Sequence, residues 1–487
     1  MLDHRKRVTR VAIGVRVFKQ DGGLDMNGSK RCTGAGLAGL MAGVMLAAGV
    51  ARADVFYEVG PGQTYTTIQA ALAATPFVDG DSNGEWDPFT ENHVINVHGG
   101  TYTIPTQVDT DLNSRLNNGK LSRTSLNHRL VIQAAPGEEV VWDATGTLSW
   151  QSALQVRESH VTVQGIKFTG MPKDPGRYYI LMGTGSTSSP NQRGGLLVYN
   201  CEFDGAYGLK GYTNTAYPDI VTAEPGVGFN WAFVNNHVHG FDVHYEIPGQ
   251  LLLKTATLGN LYEPACVSGG GSILQPKLPA GYENRWYVNN TLASAGNELG
   301  GFFRVSGATT GASAVTFANN IMSWRDTDTT MENGMYFDSA PTGNLWPTMA
   351  NNIQDGTYLN WAAVGGTGGG SFPTLGSWLT YLSSRGGTET GSYDGDPLFE
   401  DAADGDYRLS MLGSPGDGTS DTSYWLAAIN DLGIGGLLSY YNAFTDPGLQ
   451  FGTPTNVGAM VTAIPEPASL ALLAATGLLA LHWRRRG

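Results

Sequence analysis

Six stretches in the middle of the chain share one skeleton: an apolar residue, then Asn or Gly, then a small or polar residue, then an apolar residue two places on. They read VQGIKFTG from Val163, VYNCEFDG from Val198, FVNNHVHG from Phe233, YVNNTLAS from Tyr287, FANNIMSW from Phe317 and MANNIQDG from Met349. Aligned on Gly165, Asn200, Asn235, Asn289, Asn319 and Asn351, they recur at steps of 35, 35, 54, 30 and 32 residues. A period of about 20–50 residues is the signature of a solenoid, propeller or array, because such a unit buries its apolar face only against its neighbours. β-forming residues followed by Gly, Asn or Asp predict a strand and a tight turn in each copy, not a helical pair.

Stacked in parallel, equivalent residues of successive coils lie above one another, and a column of Asn can bond amide to amide along the stack. That accounts for Asn, a poor strand former, recurring inside a strand. The competing reading takes the Asn-Asn pairs as ordinary turn residues, but it does not explain why the flanking apolar residues keep one register in every copy. The copies resemble the rungs of pectate lyase-like proteins, in which Asn ladders at strand bends are common. The resemblance implies a single-stranded right-handed parallel β-helix, a pectin lyase-like solenoid, over about residues 54–420.

With 67 Gly among 487 residues, 41% hydrophobic and only 15% charged, the composition is that of a turn-rich, packed β protein rather than a disordered one. Residues 1–53 and 465–487 take up twelve of the 29 basic and four of the 43 acidic residues. Residues 54–464 therefore keep 17 basic against 39 acidic, a net charge near −22 beside the −14 of the whole chain. Such a surface repels nucleic acid and other polyanions unless cations intervene, so no nucleic-acid partner is expected. It also tells against anionic pectate or alginate and for neutral or cation-bridged glycans. Of the three cysteines, Cys32 falls in the leader. Cys201 occupies an inward rung position that suits a buried thiol better than a ligand, while a Cys201–Cys266 disulfide stays open.

The two ends carry export chemistry. Lys30 and Arg31 precede an apolar run from Leu37 to Val50 that closes on Ala51, Arg52 and Ala53, the pattern of a secretory signal peptide over residues 1–53, with Met26 as an alternative start. From Asp54 a short strand, a Gly-Pro-Gly turn and a small helix follow; Ile68, Ala71 and Leu72 share its face and Thr66 or Thr67 caps it. This pairing resembles the amino-terminal cap of pectate lyase-like β-helices. Leu375, Trp378, Leu379 and Leu382 mark another amphipathic helix, ended by Gly386. The text after it, from Asp394 to Gly418, resembles the last coils of exported bacterial β-helix proteins, and residues 421–464 read as an extension and linker. At the end Pro465, Glu466 and Pro467 precede an apolar run from Ala468 to Trp483 and three Arg, and sixteen residues of helix span roughly 24 Å, slightly short of a bilayer core. The segment 465–487 resembles the PEP-CTERM sorting signal. That implies an exosortase-type partner, a transient membrane anchor before processing, an exopolysaccharide setting, and a final place at the cell surface, in the outer membrane or outside the cell.

Chemistry is sparser. Asp79, Asp81 and Asn83 at positions 1, 3 and 5, Gly84 at 6 and Asp87 at 9 match the front of a calcium loop; position 12 is Thr90 where Glu is wanted, and a solvated acidic turn explains the same residues. Calcium is thus the one cofactor candidate, and no motif requires any. The densest cluster is His237, His239, Asp242, His244 and Glu246. In rung register Asn235, Asn236 and Val238 point inward and His237 and His239 outward, an arrangement suited to a transition metal, to acid–base work, or simply to a solvated face. Trp231, Phe241 and Tyr245 add ring faces for sugars, and long segments flank this rung. Lys210, Lys254, Arg285, Arg304 and Arg325 are candidate bases by residue type alone; neither the lyase nor the polygalacturonase motif occurs, so the resemblance assigns no catalytic residue. Two functions are expected: a surface or matrix protein that binds polysaccharide or, as the alternative, a polysaccharide lyase or glycoside hydrolase.

Overall fold

The computed structural model describes residues 54–76, 87–104, 108–110, 124–125, 127–146, 152–156, 158–171, 178–182, 195–205, 231–240, 254–263, 272–274, 284–294, 301–305, 315–324, 331–341, 346–356, 358–401, 406–409 and 421–442. The coil that begins at Arg285 shows the plan. The chain runs through Arg285–Val288, Thr291–Ser294 and Gly301–Val305, and Val315–Ala318 then pairs with Arg285–Val288 one layer on. Among the described residues, the first strands of successive coils build an eleven-stranded sheet I and the second strands a ten-stranded sheet II; the third strands form shorter sheets of three and five. Pairing in sheets I and II is parallel throughout. The fold is a parallel β-helix, and crossovers of this kind are right-handed in nearly all proteins.

The register follows the repeat. Val163, Val198, Phe233, Tyr287, Phe317 and Met349 stand in one inward column of sheet I. Between Phe233 and Tyr287 the structure inserts Thr257, so TLGNLYEP from Thr257 is a further copy and the 54-residue step divides into 24 and 30. The aligned Asn residues do not sit inside a strand. They form the corner between sheets I and II at φ of 52° to 57° for Asn200, Asn235, Asn289, Asn319 and Asn351, with Gly165, Gly259 and Gly391 taking the same place in other coils at 66°, 64° and 70°. Asn and Gly are the residues that tolerate this left-handed conformation at least cost.

Two amide ladders climb this corner in opposite senses. On the outer one Asn235 donates to Asn200 at 3.1 Å, Asn351 to Asn319 and Asn319 to Asn289 at 3.2 Å each, and Gly259 interrupts the series. One residue on, an unbroken inner ladder runs the other way: Asn236 donates to Asn260, Asn260 to Asn290, Asn290 to Asn320 and Asn320 to Asn352, at 3.0 to 3.1 Å. Each of these amides also donates to a carbonyl of the preceding coil, from Val198 for Asn236 to Phe317 for Asn352. Buried polar groups that are fully paired in this way stabilise the corner where an unpaired amide would cost about 1–3 kcal/mol. At the start of the ladder Cys201 takes the Asn position and its N–H donates to Asn236 Oδ1 at 2.8 Å. Its thiol is buried and unbridged, and burial pushes its pKa up to about 12; Cys266 lies outside the described residues.

Helices close the stack. Helix α1 (Ile68–Ala74), capped by Thr67, buries Ile68, Ala71 and Leu72 at the first coil. Helix α2 (Leu375–Ser384), opened by a Thr374–Ser377 capping box, buries Trp378 and Leu382 at the last; Leu379 stays exposed and Gly386 follows the Arg385 C-cap at φ 78°. Past the stack the chain turns back over its own flank. The hairpin of Phe399–Asp401 and Asp406–Leu409 sets Leu409 and Phe399 on Ile321 and Ile353 outside sheet II. Helices α3 (Thr422–Leu432) and α4 (Gly435–Asn442) then cover sheet I, burying Trp425, Ala428, Ile429, Leu432 and Leu438 against Tyr199, Val234, Leu258, Val288, Ala318 and Ala350. The first half of the segment read as extension and linker is therefore a docked helical pair. Asp431 pins it, accepting from Lys254 Nζ at 2.8 Å, Trp286 Nε1 at 2.9 Å and Asn284 Nδ2 at 3.1 Å.

Candidate functional site

Alternation along the second strands fixes which side chains face outward from sheet II. In Glu202–Asp204 and His237–His239 the central Phe203 and Val238 enter the core, so Glu202, Asp204, His237 and His239 face out. Parallel stacking places Lys167, Glu202, His237 and Leu261 in one column and Asp204, His239 and Glu263 in the next. The two imidazoles stand side by side with ring centroids 4.5 Å apart. His237 Nε2 bonds Glu263 of the next coil; His239 Nε2 meets Glu202 Oε1 at 2.9 Å and its Nδ1 lies 3.5 Å from Asp204 Oδ1, both in the coil before. Lys167, a coil earlier still, reaches the same Glu202 oxygen at 2.7 Å. The result is a connected run of charge across four coils.

These side chains are about a quarter to two-fifths exposed, which leaves their electrostatics local and strong. Burial works against a charge on Glu202, yet the hydrogen bonds from His239 and Lys167 outweigh it and hold its pKa down to about 2. The bond to Glu202 in turn raises the pKa of His239, against its own burial, and that of Lys167. Glu202 thus stays ionised at neutral pH, and its bond to His239 favours the protonated imidazole. Such a surface can accept and donate hydrogen bonds to hydroxylated ligands or exchange a proton.

Of the expected site residues, His237 and His239 come together as the register required, while Asp242, His244 and Glu246 lie outside the described residues, as do Phe241 and Tyr245. Trp231 lies on a strand of sheet I. The loop of Asp79, Asp81 and Asn83 is outside as well; Asp87 is described and exposed. Among the described residues no group of three or more His, Cys, Asp or Glu is arranged to hold a metal ion. The candidate bases have other partners or places: Lys254 holds Asp431, Arg304 bonds Asp338 at 2.9 Å, Arg285 is buried, and Lys210 and Arg325 fall outside. Lys167, Glu202, Asp204 and Glu263 were missed by a search along the sequence because they sit on three coils other than that of the histidines. The signal was present in the repeat itself, since residues four and six places into each copy stack in columns.

The fold and this flank define a parallel β-helix protein, and the end of the chain says where it goes. Residues 463–486 match the PEP-CTERM protein-sorting motif, so the chain carries a sorting signal and is an exported protein. Among solved structures it is similar to a pectin methylesterase from Aspergillus niger, at 11% identity and a TM-score of 0.33, over 80% of this chain and 96% of that one. At that score the likeness adds nothing to the strand pairings. No curated protein matches the chain. Among the described residues no helix is long and apolar enough to cross a membrane.

Proposed function

We propose that this chain is a cell-surface or matrix protein that binds polysaccharide along the outer flank of sheet II, delivered by its signal peptide and sorted through an exosortase-type enzyme while its carboxy-terminal segment anchors it transiently in the membrane. One observation carries the reading. Apolar outer surface on sheet I and at Ile321 and Ile353 is covered by the chain's own helices and hairpin, whereas the flank from Lys167 to Glu263 carries no such cover among the described residues and is a continuous row of hydrogen-bonding groups on adjacent coils. A row of that kind suits an extended polar polymer, which repeats as the coils do. The strongly acidic body favours a neutral or cation-bridged glycan over an anionic one.

The test is a polysaccharide panel with and without calcium, following retention, unsaturated product and reducing ends together. Retention without product, weakened when His237 and His239 are both replaced by Ala, is the expected result. Product that disappears in the same variant would replace binding with a lyase or hydrolase activity, and absence of retention on every glycan would overturn the proposal.

A further inference from the structure

The inward column of sheet I ends on a residue that does not belong in a core. From the first coil to the last it reads Tyr57, Ile95, Ile132, Val163, Val198, Phe233, Thr257, Tyr287, Phe317, Met349 and then Glu389. Glu389 is 8% exposed and lies under helix α2, whose Trp378 donates its indole N–H to Oε2 at 2.6 Å. Ser392 adds a hydroxyl hydrogen bond and also accepts from Asn352 N–H at 3.1 Å, so the inner amide ladder ends on this carboxyl. The other oxygen, Oε1, is sealed from solvent and has no partner. Beside it a groove of about 460 Å³ runs between α2 and the last strand, lined by Leu379, Leu382, Gly387 and Thr388 among others.

We infer that Glu389 makes the carboxy-terminal cap of the solenoid proton-dependent: α2 closes tightly over a neutral carboxyl and loosens as the proton leaves. An ionised carboxylate here would have two neutral donors, one oxygen without any and, among the described residues, no cation. Neutral donors offset only part of the several kcal/mol that burying a charge costs. The charged and titratable groups on the packed elements are engaged elsewhere. Arg385 binds the Gly368 carbonyl and lies over Tyr381, Tyr381 OH donates to Gly368 O, and Asp394 accepts from Tyr358. Burial accordingly raises the pKa of Glu389 above its ordinary 4.5, against the two hydrogen bonds. For a carboxyl raised in the closed state, the closed state is favoured in full below the ordinary value. The preference is then lost as pH climbs to the raised value, with the opening constant growing by up to about tenfold per pH unit across that window. Opening would free the groove and the outer edge of Thr388–Thr390, the last strand of sheet I.

Hydrogen exchange of the full-length protein between pH 4 and pH 8, corrected for the intrinsic pH dependence, reads this directly. Protection of residues 375–385 should fall with rising pH while that of Arg285–Trp324 stays level. Glu389→Gln, which cannot ionise, should make the cap level too. Trp378→Phe removes only the indole donor, so it should lower protection at every pH yet keep the slope. A level wild type, a slope that survives in Glu389→Gln, or a slope that vanishes in Trp378→Phe would each overturn the inference.

Discussion

The outer faces of sheets I and II are built from the same repeat and end in opposite conditions. Sheet I presents Tyr199, Val234, Leu258, Val288, Ala318 and Ala350 and needs a roof, which α3 and α4 provide. Sheet II between Lys167 and Glu263 presents polar and charged side chains that brace one another across coils and, among the described residues, lacks such a roof. A solenoid leaves every outward position free to vary without disturbing the core, so a few residues per coil decide whether a flank is for the chain's own use or for a partner. Bracing alone does not mark the partner face. His98 is held between Glu58 at 2.8 Å and Glu138 at 3.0 Å in the first coils, where it staples layers together. The histidine pair at 237 and 239 differs in forming a continuous polar row.

The sharpest way to break the comparison is to damage the roof. Trp425 is fully buried, and Trp425→Ala should destabilise the protein by about 3–5 kcal/mol in denaturant unfolding and promote self-association through bared sheet I. Unchanged stability would mean that α3 is an ornament and that the flanks do not differ as described.

The next largest effect separates the two ladders. Asn290→Ala deprives Asn260 of its side-chain acceptor and Thr257 of a donor to its carbonyl, in a fully buried position, for an expected loss of about 3 kcal/mol at roughly 1–3 per group. Asn289→Gly next door keeps the φ of 57° accessible and takes from Asn319 Nδ2 one acceptor, for a smaller expected loss of about 1–2 kcal/mol. Equal losses at both positions, measured by the same unfolding curves, would show that corner conformation and ladder bonding had been wrongly assigned.

Acid should loosen the roof while it tightens the end. Burial opposes the charge on Asp431, but its bonds to Lys254, Trp286 and Asn284 keep its pKa below the ordinary 3.8. A lowered carboxyl contributes stability above its ordinary value and loses it as pH falls through the lowered one. Asp431→Asn should therefore cost about 1 kcal/mol at pH 7 and remove part of the acid sensitivity of α3 in hydrogen exchange. An unaltered acid profile in that variant would break the assignment.

The register of the coils was legible because apolar residues must face one interior, and a slip of one residue would turn each strand inside out. What was not legible has equally plain causes. The copy at Thr257 hid because Thr stands at the inward place where each of the six other copies begins with Val, Phe, Tyr or Met. The docking of α3 was hidden because Trp425 and Ile429 find their partners on coils about 75 to 230 residues earlier, and no local pattern names a distant sheet. The carboxylates around the histidines were hidden for a related reason: a chemical cluster on a solenoid is contiguous along the stack and scattered along the chain.

The smallest stability effect is the most informative about function. His237 and His239 are about 30% exposed and paired with carboxylates across coils, so His237→Ala with His239→Ala should cost no more than about 1 kcal/mol in all. The part due to His239 has a definite sign: its pKa is raised by Glu202, so its brace is present in full below the ordinary value of 6.5 and fades as pH rises through the raised one. The double variant should therefore match the wild type in unfolding above that range and fall slightly below it in mild acid. Glycan retention should drop sharply at every pH, because the variant removes both imidazoles from the row and leaves Glu202, Asp204 and Glu263 without their partners. Retention that fell only in step with stability would turn this flank into a second set of staples like His98, and the two faces of the solenoid would then differ in polarity alone.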